Sequence, residues 1–426
     1  MSTPNGPTPF RALDRWRANA VLTDADGPAD GDAPGPVVQR IRDQASVPKA
    51  AFRRSVAIMI GVLVVAQVAT AALQNTSRTT RAVVSGPLSL AAGLAGIGAS
   101  LLVLGRYVRI GHRRYRLIAF ISAGLLGFII LTGSAVRLTG SGLGCPDWPT
   151  CKQGRIIPES GTHAQIEFGN RVVTGLCVLA AAIGVLTALV RVPYRRDLVR
   201  LGLLASFLIF ANAILGGLTV LYGLKPQFVM SHFLLAIATL ATGLLVFHRA
   251  AEPGGSSDLF GRDRIPTVDA RTAQLARGLT VTSLAAIVLG TIVTGSGPHG
   301  GDPDVVRYSY SMLTVTRIHS GAVWLMLAFA VGLALKVART TGPAAAVVRR
   351  RTSVLIGTAL AQGAVGYVQY FNRLPVALVQ IHVLGATLFW VALLWVRAAV
   401  WRTSMETVAS VAPAHPGFRR TASQSG

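Results

Sequence analysis

The stretch LGGLTVLYGLKPQFVMSH (residues 215–232) returns as VGYVQYFNRLPVALVQIH (365–382) at a constant offset of 150 residues, with Gly216 on Gly366, Leu224 on Leu374 and His232 on His382. Each stretch is the end of one apolar run, a short tight loop and the start of another, closing on a histidine. Further upstream, TRIHSGAVW (316–324) holds His319, 63 residues before His382, while EFGNRVVTG (167–175) holds Asn170, 62 residues before His232. LTGSAVRLTGSG (131–142) likewise resembles VTGSGPHGGD (293–302), each closing a run with Thr-Gly-Ser and opening a loop. The chain therefore reads as two related units, whose sites are expected inside each bundle or at the interface between them.

The apolar runs are long enough to cross a bilayer, which takes roughly 20 helical residues. They fall near 54–73, 86–105, 117–136, 169–190, 199–221, 228–248, 278–296, 318–337, 352–370 and 376–397. With 51% apolar and 14% charged residues and a mean hydropathy of +0.52, an ordinary soluble domain is excluded. The fold class expected is an all-α polytopic membrane protein of about ten spans: two pseudo-repeated four-helix bundles plus an extra N-terminal transmembrane hairpin. The boundaries follow as a disordered cytoplasmic segment 1–50, the hairpin 51–116, the first bundle 117–250, a cytoplasmic linker 251–277, the second bundle 278–397 and a cytoplasmic tail 398–426. The hairpin's spans carry no acid, histidine or cysteine, so it reads as an accessory anchor or partner contact.

A net charge of +24 invites a nucleic-acid reading, but the arginines fall between spans and on one side of the alternation: 106–116, 191–200, 249–277, 336–351 and beyond 397. That is the positive-inside pattern, which places both termini in the cytoplasm and argues against nucleic acid. The loop GLGCPDWPTCKQG (142–154) then lies on the outer face, where oxidation is permitted. Six residues separate Cys145 from Cys151, so a disulfide is expected; two independent thiols or an electron relay are the alternatives. Cys177, inside a span, reads as a small packing residue.

Histidine is costly inside a membrane unless paired or ligating. Taken singly, His319 and His382 each read as hydrogen-bonded to a neighbouring helix. Taken together they lie near the outer ends of helices in one four-helix unit, with small residues beside them (Ser320 and Gly321; Gly385 and Ala386). That arrangement points to two axial nitrogens on one haem with no open position, suited to electron transfer. The first unit has only half such a pair, His232 with Asn170. It carries Glu167 one turn before Asn170, where the second unit has Thr316. An acid at the membrane edge reads as functional, with an i,i+4 ion pair to Arg171 as the structural alternative. Arg137, Asp147 and Arg155 read equally as propionate contacts or as residues facing water. His112, His248, His415, His163 and His299 read as surface residues, the last two near the access to the sites.

The strings GSAVRLTGSGLGCPDWPTCKQGRIIPE (133–159), IEFGNRVVTG (166–175), LGGLTVLYGLKPQFVMSHFLLA (215–236), TGSGPHGGD (294–302), RIHSGAVW (317–324) and GYVQYFNRLPVALVQIHVLGA (366–386) together resemble the haem A synthase family. The resemblance runs over about residues 117–397, and TGSGLGCPDWPTC is its most specific part. It implies an eight-span, two-repeat membrane oxidoreductase that oxidises the C8 methyl group of haem O to a formyl group, giving haem A for cytochrome oxidase. It further implies His319 and His382 as axial ligands of a resident haem b, and His232 on the iron of the substrate haem. Asn170 and Arg171 would lie in that substrate pocket, Glu167 would be the catalytic acid and Cys145–Cys151 the disulfide. Haem O, the farnesyltransferase that makes it and a membrane electron carrier are the implied partners; homo-oligomerisation stays open. The chain departs from the family at Asn170, where many members place histidine, and in its two additional spans. The competing expectations are a bis-histidine cytochrome passing electrons between quinone and an external acceptor, and a haem-handling transporter, which would need a polar path through the spans.

Overall fold

The computed structural model describes residues 109–158, 161–192, 194–252 and 264–403, together with Arg53, Ala57 and Gly61 as single helical positions. Spans 54–73 and 86–105, the N-terminal segment and most of the C-terminal tail, with His415, lie outside the described residues, those three positions apart. Among the described residues there are eight long helices: α1 (His112–Leu138), α2 (Thr162–Leu189), α3 (Arg196–Leu221), α4 (Pro226–Ala250), α5 (Ala270–Ser296), α6 (Met312–Ala338), α7 (Pro343–Phe371) and α8 (Val376–Val400). The protein is an all-α polytopic membrane protein, and seven of these helices are long and apolar enough to span a bilayer. The eighth, α7, falls short because Gln362 and Gln369 interrupt its apolar stretch and three arginines, Arg349–Arg351, precede it. Two short pairings tie helix ends together: β1 (Ile110–Gly111) runs parallel to β2 (Arg191–Val192), and β3 (Arg264–Pro266) antiparallel to β4 (Trp401–Thr403).

Helices α1 to α4 pack in a ring, α1 on α2, α2 on α3, α3 on α4 and α4 back on α1; α5 to α8 repeat that order. Helices α1, α4, α5 and α8 form the seam between the rings, where the Trp390 indole N–H donates to the carbonyl of Ile237 at 3.2 Å. The fully buried apolar side chains gather toward the arginine-rich end, with Leu240 of α4, Leu279 of α5, Leu333 and Val337 of α6, Leu355 of α7 and Leu393 and Val396 of α8 in one cluster. That end is more than a solvated charge layer. Arg195 is 5% exposed, grips Asp197 with two bonds of 2.9 and 2.8 Å, and donates to the carbonyls of Glu252 and Arg249.

The matched loops of the repeat share one backbone solution. The N–H of Leu224 returns to Thr219 O at 2.8 Å, and that of Leu374 to Gln369 O at 2.7 Å. Both turns take two successive residues with positive φ, Gly223 and Leu224 (64° and 56°) and Arg373 and Leu374 (both 60°). A non-glycine residue there costs of order 1 kcal/mol, so packing has to hold it. Leu224 is 6% exposed and wedges against Gly142 and Gly301, where added Cβ atoms would come within 2.7 and 2.9 Å of its Cδ1. Gly142 N–H also donates to Gly301 O at 2.9 Å, so the loops that follow α1 and α5 are joined directly.

The string 131–142 holds two Thr-Gly-Ser triplets: Thr132–Ser134 lies inside α1 and Thr139–Ser141 just past its end, while Thr294–Ser296 closes α5, so each string does end a span and open a loop. Helix α5 begins with Asp269, whose carboxylate accepts from the Thr272 hydroxyl at 2.7 Å and its amide at 3.1 Å. The Thr272 hydroxyl, with the amide and Lys336, holds this carboxyl below its usual range. The cap is therefore fully formed above the unfolded carboxylate pKa of about 3.9 and fades as pH falls through the lower folded value. Asp269→Ala is expected to cost about 1 kcal/mol at neutral pH, with no difference from the parent in strong acid, by thermal unfolding in detergent.

Candidate functional site

Three histidines are seated in the same way. A Cβ built on Gly216 of α3 would stand 3.0 Å from Cε1 of His232 on α4. On Gly290 of α5 it would stand 3.1 Å from Cε1 of His319 on α6, and on Gly366 of α7 3.2 Å from Cε1 of His382 on α8. Each imidazole thus lies across a glycine of the preceding helix, and only a residue without a side chain leaves that space. One turn before each glycine the main chain faces the ring nitrogen. His319 Nδ1 donates to Ala286 O at 2.9 Å, while the buried Nδ1 atoms of His232 and His382 face the main chain of Asn212 and Gln362 more loosely than a full hydrogen bond. A proton held on Nδ1 by the backbone leaves Nε2 as the lone-pair nitrogen, the form in which imidazole ligates a metal.

Around these rings the helices are loosely closed. No side chain is fully buried over 316–325 of α6 or 360–386 of α7 and α8, nor over 168–176, 211–216 and 227–236 in the first ring. His319 and His382 stand on α6 and α8, diagonal in the second ring. Imidazoles on diagonal helices, glycine seats and an uncrowded interior fit a flat porphyrin between the helices. Gln362 adds a brace: its side-chain amide donates to His382 O at 2.8 Å and packs against Gly385.

The first ring differs in what covers it. The disulfide between Cys145 and Cys151 is present, with both residues buried, as expected from the sequence. Its loop is held from α2. Glu167, 5% exposed, accepts from the Cys145 amide at 2.7 Å and from Arg171 at 2.6 Å. The Arg171 guanidinium then collects the carbonyls of Thr150, Cys145 and Asp147 at 2.7, 3.0 and 3.1 Å. From the same loop Trp148 lies flat on Gly217, the neighbour of the His232 seat. The ion pair foreseen from the i,i+4 spacing is therefore one part of a clamp on the cysteine loop.

Asn170 takes the fourth position. Its Oδ1 accepts from the Thr132 hydroxyl of α1 at 2.7 Å, and Gly133 lies opposite, where a Cβ would be 3.9 Å from that oxygen. The same α1 turn meets the second ring. Gln380, two residues before His382, accepts from the Ser134 hydroxyl at 2.8 Å and donates to Leu131 O at 3.1 Å. The glycine seats, Thr132, Ser134 and Gln380 were absent from the sequence reading; Gly216 and Gly366 were superimposed there without a function.

Other expectations shift. His163 is exposed, as expected, and bonds Ser141 at 2.9 Å, while the half-buried His299 bonds Leu374 O at 2.7 Å, so both also fasten loops. His248 is partly buried against Phe247. Asp147 is used inside its loop, accepting from the Gln153 amide at 2.8 Å, whereas Arg137 lies near Arg307 and against Gly301 at the junction of the rings. Cys177 packs as expected, buried against Leu125.

A family model described as cytochrome oxidase assembly protein (COX15-CtaA) matches residues 116–394. Among curated proteins, one named Heme A synthase from Lysinibacillus sphaericus is 34% identical over 139 residues, 32% of this chain and 45% of that protein. One of the same name from Bacillus pumilus is 32% identical over 133 residues, 31% of this chain and 43% of that one. A third, from Bacillus mycoides, is 24% identical over 210 residues, 49% and 66% of the two chains. The chain spans about half the length of the first of these relatives.

Proposed function

The chain belongs to the cytochrome oxidase assembly family that its residues 116–394 match, and from that premise we propose that it is a haem A synthase, oxidising the C8 methyl group of haem O to a formyl group. The observation that carries this reading is the asymmetric repeat of seats: His319 and His382 each lie across a glycine in the second ring, whereas the first ring has one such imidazole, His232, and an asparagine bound to Thr132. In this reading His319 and His382 would hold a haem b, which would supply one-electron transfer. His232 holds the substrate haem, which has to enter and leave and so is not clamped by two strong ligands.

The chain's own residues then divide the work. Gly216, Gly290 and Gly366 fix where the imidazoles stand, and at His319 the Ala286 carbonyl one turn earlier fixes the ring proton. Arg171, Glu167 and Trp148 hold the cysteine loop over the first ring and exclude water from it. Glu167 is the acid we assign to proton handling during oxidation, its carboxylate already placed between a loop amide and a guanidinium. The α1 turn 131–134, bonded to Gln380 on one side and Asn170 on the other, is the most direct connection between the two sites. The positive-inside pattern puts the cysteine loop on the outer face and the arginine-rich end in the cytoplasm. The farnesyltransferase that makes haem O and a membrane electron carrier are the partners this chemistry calls for.

One observation favours the cytochrome reading instead. Both carboxylate oxygens of Glu167 are occupied, one by the Cys145 amide of the loop and one by Arg171 of its own helix, as they would be if the residue were structural. Expression in a host that makes haem O but lacks its own synthase separates the two. Haem A is expected in the extracted haems, and His232→Ala is expected to eliminate it while the haem b spectrum persists. Bound haem b with haem O unconverted would establish the cytochrome.

A further inference from the structure

The fourth seat is built, although its histidine is missing. Gly133 faces Asn170 across the α1–α2 contact, a built Cβ standing 3.9 Å from Asn170 Oδ1, as Gly290 faces His319 across α5 and α6. An imidazole at 170 would find space against that glycine. Asparagine there does not fill it. Its amide stops short of where an imidazole Nε2 would reach, and its oxygen is turned aside by the Thr132 hydroxyl at 2.7 Å. A carboxamide held by its oxygen presents its N–H groups in the other direction.

We propose that Asn170 leaves the first-ring haem iron open on the α2 side, and that its Nδ2 donates a hydrogen bond to a small neutral ligand of diatomic size bound there, with Thr132 as the positioning residue. This rests on the reading in which His232 holds a haem in the first ring. It assigns a ligand class to the face opposite His232 and makes the two rings chemically unlike: one haem closed by two imidazoles, the other five-coordinate until a small molecule enters. The arrangement has the parts of a selective distal pocket, a single neutral donor of fixed direction and no competing strong ligand. The Ser134–Gln380 bond next to Thr132 anchors that turn to the second ring, so the donor is set on a braced helix rather than on a loop.

Carbon monoxide is the probe, added to the reduced full-length protein purified with haem O, and the readouts are the visible spectrum and the C–O stretch in the infrared. One of two bound haems is expected to form an adduct, the other to stay low-spin. Asn170→Ala is expected to keep the adduct and raise the stretch, because a hydrogen bond to the bound oxygen is lost. Thr132→Val, which leaves the amide in place but unfastened, is expected to broaden or split the band. Asn170→His is expected to use the vacant seat and abolish the adduct while the first-ring haem becomes low-spin. Two bound haems with no adduct in the parent protein, or a stretch unmoved in Asn170→Ala, would overturn the proposal alone. A parent protein with no second haem, its haem content unchanged by His232→Ala, would overturn the underlying reading and the proposal with it.

Discussion

Gly366→Leu is expected to strip the second ring of its haem and leave the first ring's intact, and Gly216→Leu is expected to do the reverse. The Cβ positions lie 3.2 and 3.0 Å from the imidazole Cε1 atoms, so even alanine forces the ring to give by tenths of an ångström. A leucine extends into the space the imidazole occupies. The histidine must leave its rotamer, and at the Gly290 seat His319 would also leave the Ala286 carbonyl that holds its Nδ1 proton. Overpacking of this kind costs about 1–3 kcal/mol by itself, and losing the support of a ligand's second nitrogen lowers metal affinity about 10–100-fold. The combined effect is near-complete loss at one ring. Gly290→Leu should reproduce Gly366→Leu, since the two seats serve the same pair. Haem per chain by pyridine haemochrome, with the low-spin signal of the bis-histidine centre followed by electron paramagnetic resonance, checks all three. A Gly366→Leu protein with its full low-spin signal would show that His382 does not ligate from this seat.

These seats explain which parts of the molecule could be read from sequence. The histidines and the repeat were legible because membrane burial makes a polar residue conspicuous and because the offset of 150 is constant through an entire helix–loop–helix. The disulfide was legible from spacing and topology. The seats were not. Gly290 and His319 are on different helices, and only the lateral pairing of α5 with α6 brings them together. Thr132 was hidden for a related reason: its partner Asn170 stands on a different helix, and only the packing of α1 on α2 brings them together. The arginines of the basic end were read as topology alone, yet Arg195 and Arg249 are 5% and 1% exposed. Net charge and position do not reveal that a guanidinium is satisfying helix-end carbonyls, as Arg195 does at Glu252 and Arg249. Glu167 was legible as a choice between two functions, and the structure shows its loop contacts without removing the other role.

Glu167→Gln and Glu167→Ala are expected to part company, and the difference tests which role dominates. Glutamine keeps an oxygen for the Cys145 amide and loses the acceptor that faces Arg171, whose guanidinium still holds three loop carbonyls, so the loop should stay closed; alanine removes both Glu167 contacts. With Arg171 at 22% and Glu167 at 7% side-chain exposure, the pair is only partly shielded, and losing its charge should cost the fold about 1 kcal/mol. Alanine also leaves a buried amide without an acceptor, worth about 1–3 kcal/mol more. Protease resistance of the 142–154 loop should therefore survive in Glu167→Gln and fall in Glu167→Ala. Turnover should follow a different order. Positioned acid–base groups contribute roughly 10²–10⁴-fold to rate, and a glutamine cannot accept a proton, so Glu167→Gln should lose haem A formation by at least about 100-fold with the loop closed and the haem b spectrum unchanged. A carboxylate that takes a proton also surrenders its charge to Arg171. If Glu167→Gln makes haem A at the parental rate while Glu167→Ala does not, the residue is a loop anchor and the proton acceptor lies elsewhere.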